Sequence, residues 1–381
     1  MSLDTTAADV PKAESAQGID DKENADPAAT VGENVASTGE QEDKGKNKSD
    51  KGKGRADDDF VPVHGNYRGY YGKRRLGQDP CQGDERLKLI PKEWMQDQVV
   101  LDIGCNAGSV AIEIAQQCRP SRITGVDIDG ELIRTAHKRA RIAWSTQEPL
   151  SSVHRAAKIE RDRSSRHHAR RHYSRSPEPL DASEVSTPSP HHFPAALSRM
   201  YGYLPQPPDK YLRLYIRPTE EESRERSQRR DGKRSRGNVM PKKITLFPNN
   251  ISFKKADWVN EEISSDKRGY DCILALSVVK WIHLNNGDDG LIEFFTRIFM
   301  TLHPNGRFIL ESQPWESYQK ATRLSDSLKE SYNSLKIRPD DFEKILLQDI
   351  GFSSVEKLSD VTGKGFERPL HVYRRAAGSW L

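Results

Sequence analysis

The stretch LDIGCNAG (Leu101–Gly108) offers a carboxylate, an amide and two glycines within a few residues. It follows the apolar, β-branched run QVVLDIG and precedes SVAIEIAQQC, so it reads as the turn from a buried strand into a helix. Gly104 permits a tight turn, and Gly108 lets backbone approach a ligand at the helix N-terminus. A dinucleotide fingerprint, G-x-G-x-x-G, would seat a pyrophosphate there, but Asn106 stands where the middle glycine belongs. Asp102 would repel a pyrophosphate, yet it could accept hydrogen bonds from an ammonium, directly or through water. Asp127 ends the next strand about 20 residues further on, the place where a carboxylate accepts hydrogen bonds from ribose hydroxyls. A cationic amino-acid nucleoside suits these groups better than NAD does. That cofactor is S-adenosylmethionine.

The elements around this turn alternate. RITGVDID, ISFKKADW, YDCILALSVV, GRFILES, FSSVEKL and LHVYRR read as strands beside QVVLDIG. Helices are expected over SVAIEIAQQC, with Val110, Ala111, Ile114, Ala115 and Cys118 inward, and over ELIRTAHKRARIAW, with Leu132, Ile133, Ala136 and Ala140 inward. LIEFFTRIFMTL and PDDFEKILLQDIG complete the helical set. This pattern predicts an α/β, Rossmann-like class I methyltransferase fold: a mostly parallel seven-stranded sheet with helices on both faces.

Composition limits how much of the chain folds. Of 381 residues, 34% are hydrophobic and 30% charged, and the mean hydropathy is −0.81. Apolar residues concentrate in 86–144 and 245–376. Residues 1–58 read as a disordered tail and 59–381 as one methyltransferase domain, interrupted by a basic, largely disordered insertion at about 146–244. The insertion suits an acidic polymer such as RNA, or a solvated linker. The basic run Lys44–Arg55 suggests a nuclear address, with the cytoplasm as the alternative. The four cysteines have no C-x-x-C spacing, so reduced thiols and no metal site are expected. No apolar run approaches the length that spans a bilayer, and the first residues lack the pattern of a secretory signal.

Several phrases are more specific than the glycine turn: GNYRGYYGKR (65–74), DERL (84–87), LDIGCNAG, GVDID (125–129), FPNNISF (247–253), LSVVKWIHLNNGDDGL (276–291), LESQPWESY (310–318) and KGFERP (364–369). Together they resemble the methylphosphate capping enzymes, the bicoid-interacting-protein type of RNA 5′-phosphate methyltransferase, in a fungal-type form with a long basic insertion. HHFPAALS, inside the insertion, is similar to a short phrase this family carries between its second and third strands. The resemblance implies that Tyr71 and Arg86 touch the cofactor from outside the sheet. It also implies that Gly104, Cys105 and Asn106 form the turn, and that Asp127 and Ile128 hold the ribose and adenosine side. Asp257 and Trp258 would flank the adenine, where the family more often has Asn-Tyr, and Leu276 would line the methionine side.

The implied reaction methylates the terminal phosphate of a small non-coding RNA, of 7SK type, a spliceosomal small nuclear RNA or a similar RNA polymerase III transcript. Its phosphate is already largely dianionic at neutral pH, since its second pKa is about 6. It therefore needs placement and charge screening and no general base. Tyr70 and Arg74 in the tyrosine-rich arm, Lys280 as phosphate clamp and His283 as nearby donor are the expected positioning groups. Gln313, Pro314 and Trp315 are expected at the same rim. A monomer is expected, with ribonucleoprotein partners. Two alternatives stand: a methyltransferase with another acceptor, or a mainly non-catalytic RNA-binding subunit.

Overall fold

Side chains of β1 (Val99–Ile103) alternate between two separate apolar cores, as a strand covered on both faces requires. Val100 joins the core built with α2 (Ser109–Gln117), while Leu101 and Ile103 join the opposite one. This computed structural model describes residues 60–71, 83–149, 188–208, 213–216, 242–358 and 368–378. The expected tail, residues 1–58, and Arg74 lie outside the described residues.

Ahead of β1 runs the short helix α1 (Glu85–Leu89). After α2 come β2 (Arg122–Asp127) and α3 (Gly130–Thr146). The expected insertion contains helix α4 (Ala195–Tyr201) and an antiparallel pair, β3 (Arg213–Ile216) with β4 (Lys242–Thr245). The chain then returns through β5 (Ile251–Lys255), β6 (Tyr270–Leu276), α5 (Val279–Thr301) and β7 (Leu302–Glu311). Next come α6 (Trp315–Ala321), α7 (Asp326–Ser334) and α8 (Phe342–Lys344), which runs on as a π-helical turn, Ile345–Ile350. Strands β8 (Ser354–Leu358) and β9 (Leu370–Arg374) follow.

The sheet order is β5-β2-β1-β6-β7-β9-β8. Neighbours are parallel except on either side of β9. The chain builds outward from β1 to β5 and then resumes on the other side at β6. Such a reversal leaves a crevice at the carboxyl ends of the two central strands, where open α/β sheets bind ligands. All seven expected strands are present, and the inward residues expected of α2 and α3 are buried.

One helix differs from expectation. α5 starts at Val279, twelve residues before LIEFFTRIFMTL, and continues through Gly287, whose φ of +70° kinks it. Asn285–Gly290 reads as a loop from its polar and glycine content, yet tertiary packing holds most of it helical. The consequence matters for the site: Lys280 and His283 lie in the buried first turns of a helix. A third, smaller apolar cluster there joins Trp281 and Leu284 to Tyr318, Leu328 and Leu335, with Tyr67 packed on its edge.

Candidate active site

A cavity of about 310 Å³ opens at the carboxyl ends of β1, β2 and β6. Its floor comes from the turn after β1. Gly104 has φ +70°, and a Cβ placed on it would stand 2.5 Å from Val278 Cγ2. The glycine therefore serves both a left-handed backbone and the close approach of the β6–α5 loop. Asn106 also has positive φ, +52°. Its Oδ1 accepts from Ala107 N, 2.8 Å, and its Nδ2 donates to the Tyr67 carbonyl, 3.3 Å.

One end of the cavity is acidic and apolar. Asp127, at the end of β2, accepts N–H bonds from Asn106 (2.8 Å) and Asp129 (2.9 Å). Burial pushes its pKa up to about 6, against the lowering effect of those two bonds. Ile128, Val126, Asp257 and Trp258 line the wall beside it. Trp258 is fixed by its indole N–H to Asp266 Oδ1, 3.2 Å.

The opposite end carries cations. Lys280 lines the cavity beside Leu276, and its Nζ donates to Ser317 Oγ (2.7 Å) and to the Ser317 carbonyl (3.3 Å). The same ammonium lies 4.4 Å from the Trp281 ring centroid, a favourable cation–π placement. Arg368 reaches the cavity from just before β9, its Nη1 3.4 Å from Ser277 Oγ. Ser277 holds φ +62° between β6 and α5. Gln313 pins it by donating Nε2 to its carbonyl, 2.6 Å. Across the mouth, the arm from His64 to Tyr71 contributes Tyr67, Tyr70 and Tyr71. Its Gly65 is pressed so closely on the Trp281 indole that a Cβ there would overlap the ring.

Beneath the cavity lies a buried ionic cluster. Arg86 makes a two-pronged contact with Asp84 (2.8 Å for each prong) and donates to Glu311 Oε2 at 2.6 Å. Glu311 Oε2 also accepts from Ser277 Oγ, 2.5 Å, so the cluster reaches the cavity wall through that serine. Asp102 faces the same side of the sheet as Val100, toward Arg86 and Tyr71. Burial raises its pKa to about 7 against the pull of Arg86, and its Oδ2 is buried with no hydrogen-bond partner among the described residues.

Of the residues expected at the site, Tyr70, Tyr71, Gly104, Asn106, Asp127, Ile128, Asp257, Trp258, Leu276 and Lys280 all line this one cavity. Five do not. The Cys105 side chain turns into the core beneath Gly125, with its thiol raised by burial. Gly108 packs against Ala136 and Phe253, so its lack of a Cβ serves helix packing. Arg86 and Asp102 sit one layer below, in the ionic cluster just described. His283 is fully buried: its Nε2 meets Asp288 Oδ1 at 2.9 Å and its Nδ1 meets Tyr318 OH at 3.4 Å. Burial lowers its pKa despite Asp288; it fastens α5 to α6 through Tyr318 and does not line the cavity. Sequence reasoning left Arg368, Ser277 and Asn66 unassigned. All three lie in phrases singled out above, KGFERP, LSVVKWIHLNNGDDGL and GNYRGYYGKR, but nothing in the sequence signals the positive φ of Ser277. Among the described residues no cluster of metal ligands occurs, and no helix is long and apolar enough to cross a membrane.

A family profile described as Bicoid-interacting protein 3 (Bin3) matches residues 270–375, and one described as Methyltransferase domain matches residues 100–158. A probable RNA methyltransferase of Arabidopsis thaliana is 33% identical over 314 residues, covering 82% of this chain and 80% of its own. The chain belongs to the Bin3 family of methyltransferases. The human 7SK snRNA methylphosphate capping enzyme is 31% identical over 82% of this chain, which spans 39% of that longer protein. The Drosophila melanogaster U6 snRNA methylphosphate capping enzyme is 26% identical over 82% of this chain and 75% of its own. S-adenosylmethionine is the cofactor of this Bin3 chain, and the cavity suits it. Gly104 and Asn106 line its floor, Asp127 is placed for ribose hydroxyls, and Ile128 and Trp258 add apolar lining beside it.

Proposed function

We propose that this Bin3 protein methylates the 5′-terminal phosphate of a small non-coding RNA. The observation that carries the reading is the polarity of the cavity: carboxylates and apolar side chains from the β2–β5 end, Lys280 and Arg368 from the β6–β7 end. The first end suits a cationic nucleoside, and the second suits an anion. Bound S-adenosylmethionine supplies an activated methyl group. The remaining work belongs to the chain. Asp127, Asp257, Ile128 and Trp258 hold the nucleoside end of the cofactor, with Tyr71 and Leu276 closing the side toward β6. Lys280 and Arg368 bind the terminal phosphate, fix its oxygen in line and screen its charge from neighbouring phosphates. Ser317 and the Trp281 ring hold the Lys280 ammonium in place, and Gln313 and Ser277 hold the loop from which Arg368 is steered. Tyr67 and Tyr70 cover the mouth and offer phenolic donors and stacking surfaces to the first nucleotide. No general base is needed, because the phosphate arrives as a dianion.

We further read the protein as a nuclear monomer, on the strength of Lys44–Arg55 and a cavity lined from one chain, with ribonucleoprotein partners on its substrate RNA. The experiment that divides the roles compares Lys280→Met with the parent protein. Methyl transfer to a 5′-triphosphorylated RNA should fall about 10²–10³-fold, while cofactor affinity by calorimetry stays within about threefold of the parent. Equal losses in both would refute the separation into a cofactor end and a phosphate end. Cofactor-independent RNA binding with no transfer in the parent protein would favour the non-catalytic subunit.

A further inference from the structure

The phrase HHFPAALS has no part in the cavity, yet it forms a built surface. The segment around α4 wraps the C-terminal end of α3. Phe193 N donates to the Thr146 carbonyl (2.8 Å), Leu204 N to Ser145 Oγ (2.9 Å), and the Trp144 indole to the Pro205 carbonyl (3.1 Å). Having docked, it still leaves large side chains in water: Met200 is 70% exposed, Tyr201 79% and Leu204 54%. Basic groups surround them. Arg141 lies 4.8 Å from the Tyr203 ring centroid, and Lys138, Arg141 and Arg199 are exposed.

This face is connected to the cavity. α3 begins at the cavity rim, where its N-cap Asp129 accepts from Asn66 Nδ2 at 2.8 Å. Its 17 residues span about 25 Å. Arg134, Lys138 and Arg141 fall at i, i+4 and i+7, so they form one stripe from the rim toward α4. Arg134 is paired with Glu131, which leaves Lys138 and Arg141 as the main charges on the stripe. Glu148, at the far end, is already used in accepting from Ser189 N.

We infer that the α3–α4 face is the path for the body of the substrate RNA, with Lys138, Arg141 and Arg199 on its phosphates and Tyr201 and Tyr203 as stacking platforms. The inference rests on the proposed function, since it assumes that an RNA 5′ end lies in the cavity. Charge and aromatics together favour RNA over an acidic or apolar protein segment: Lys138, Arg141 and Arg199 outnumber the one carboxylate there, Glu148, and the tyrosines stand beside them as in the interleaving that single strands bind.

The test uses the full chain and two substrates, a 5′-triphosphorylated dinucleotide and a long transcript beginning with the same two nucleotides. The double variant Lys138→Ala/Arg199→Ala should weaken KM for the long transcript several-fold. It should also flatten the log-log salt dependence of binding by about 0.7 per charge removed. Tyr201→Ala should weaken it about tenfold. Kinetics on the dinucleotide should not change for either. Loss on both substrates alike, or on neither, overturns the inference, and loss on neither would leave the face to a protein partner. Failure of the parent protein to methylate either substrate would instead overturn the proposed function itself.

Discussion

At the residue scale, the most consequential feature is how the charged groups beneath the cavity are satisfied. Arg86 is fully buried between Asp84 and Glu311. Removing one partner of such a set leaves charge stranded in a poorly solvating interior, at about 3–5 kcal/mol. Arg86→Met should therefore lower stability by that amount in denaturant unfolding and weaken the cofactor end only indirectly, through Tyr71. Asp102 and Asp127 give a pH signature of known sign. Both hold a proton in the folded state up to higher pH, about 7 and about 6, than the ordinary carboxylate value of 3.8. At these two sites the folded chain thus binds more protons than the unfolded chain between about pH 4 and 7. Their contribution to stability falls as pH rises through that window and levels off above it, while the lowered pKa of buried His283 acts in the opposite direction. Asp102→Asn, which cannot ionise, should flatten the upper part of that decline. Thermal unfolding at pH 5 and pH 8 checks this: the variant gains on the parent at pH 8 and not at pH 5, and an equal shift at both would contradict the assignment.

The elements show where sequence reasoning reaches and where it stops. The seven strands and helices α2 and α3 were legible because each is long enough to carry its own period, two or 3.6, over a buried face. The turn from Leu101 to Gly108 was legible for a related reason: a strand must end and a helix begin around a special backbone. Cys105 and Gly108 were misplaced because proximity in that turn does not say which atoms face the ligand. Helices α6 and α7 went unread because each buries few apolar residues, and their anchors Tyr318 and Leu328 pack on a cluster assembled from distant parts of the chain. His283 was misassigned for the same reason. Its partners Asp288 and Tyr318 come together only after α5 extends back to Val279. A comparison of glycines tests the turn itself. Gly104 and Gly69 both have positive φ, +70° and +73°, but only Gly104 has a neighbour that a Cβ would strike. Gly104→Ala should cost more than the roughly 1–2 kcal/mol expected of backbone strain alone and should reduce cofactor affinity. Gly69→Ala should show no more than the strain. Calorimetric titration with S-adenosylmethionine and thermal unfolding of both variants separate the two effects.

For the molecule as a whole, the sheet's reversal beside β1 gathers groups from the arm, the β1 turn, β6, α5, the loop after β7 and the approach to β9 into one cavity. The polarity of that cavity was only half legible. The acidic end lies on two adjacent strand ends, β2 and β5; Asp127 could be read from spacing, and Asp257 only from the family resemblance. The cationic end needs Lys280 and Arg368, nearly ninety residues apart in sequence, and their meeting depends on β9 returning antiparallel beside β7. The most direct measurement is transfer of labelled methyl from S-adenosylmethionine to one RNA prepared with a 5′ triphosphate, a 5′ monophosphate or a 5′ hydroxyl. Label should enter only RNA with a terminal phosphate, resist phosphatase because the methyl ester leaves no monoester end, and leave the triphosphorylated RNA with the methylated phosphate on pyrophosphatase treatment. Equal labelling of the hydroxyl-ended RNA, or label retained in the nucleosides, would contradict a phosphate acceptor at the Lys280–Arg368 end.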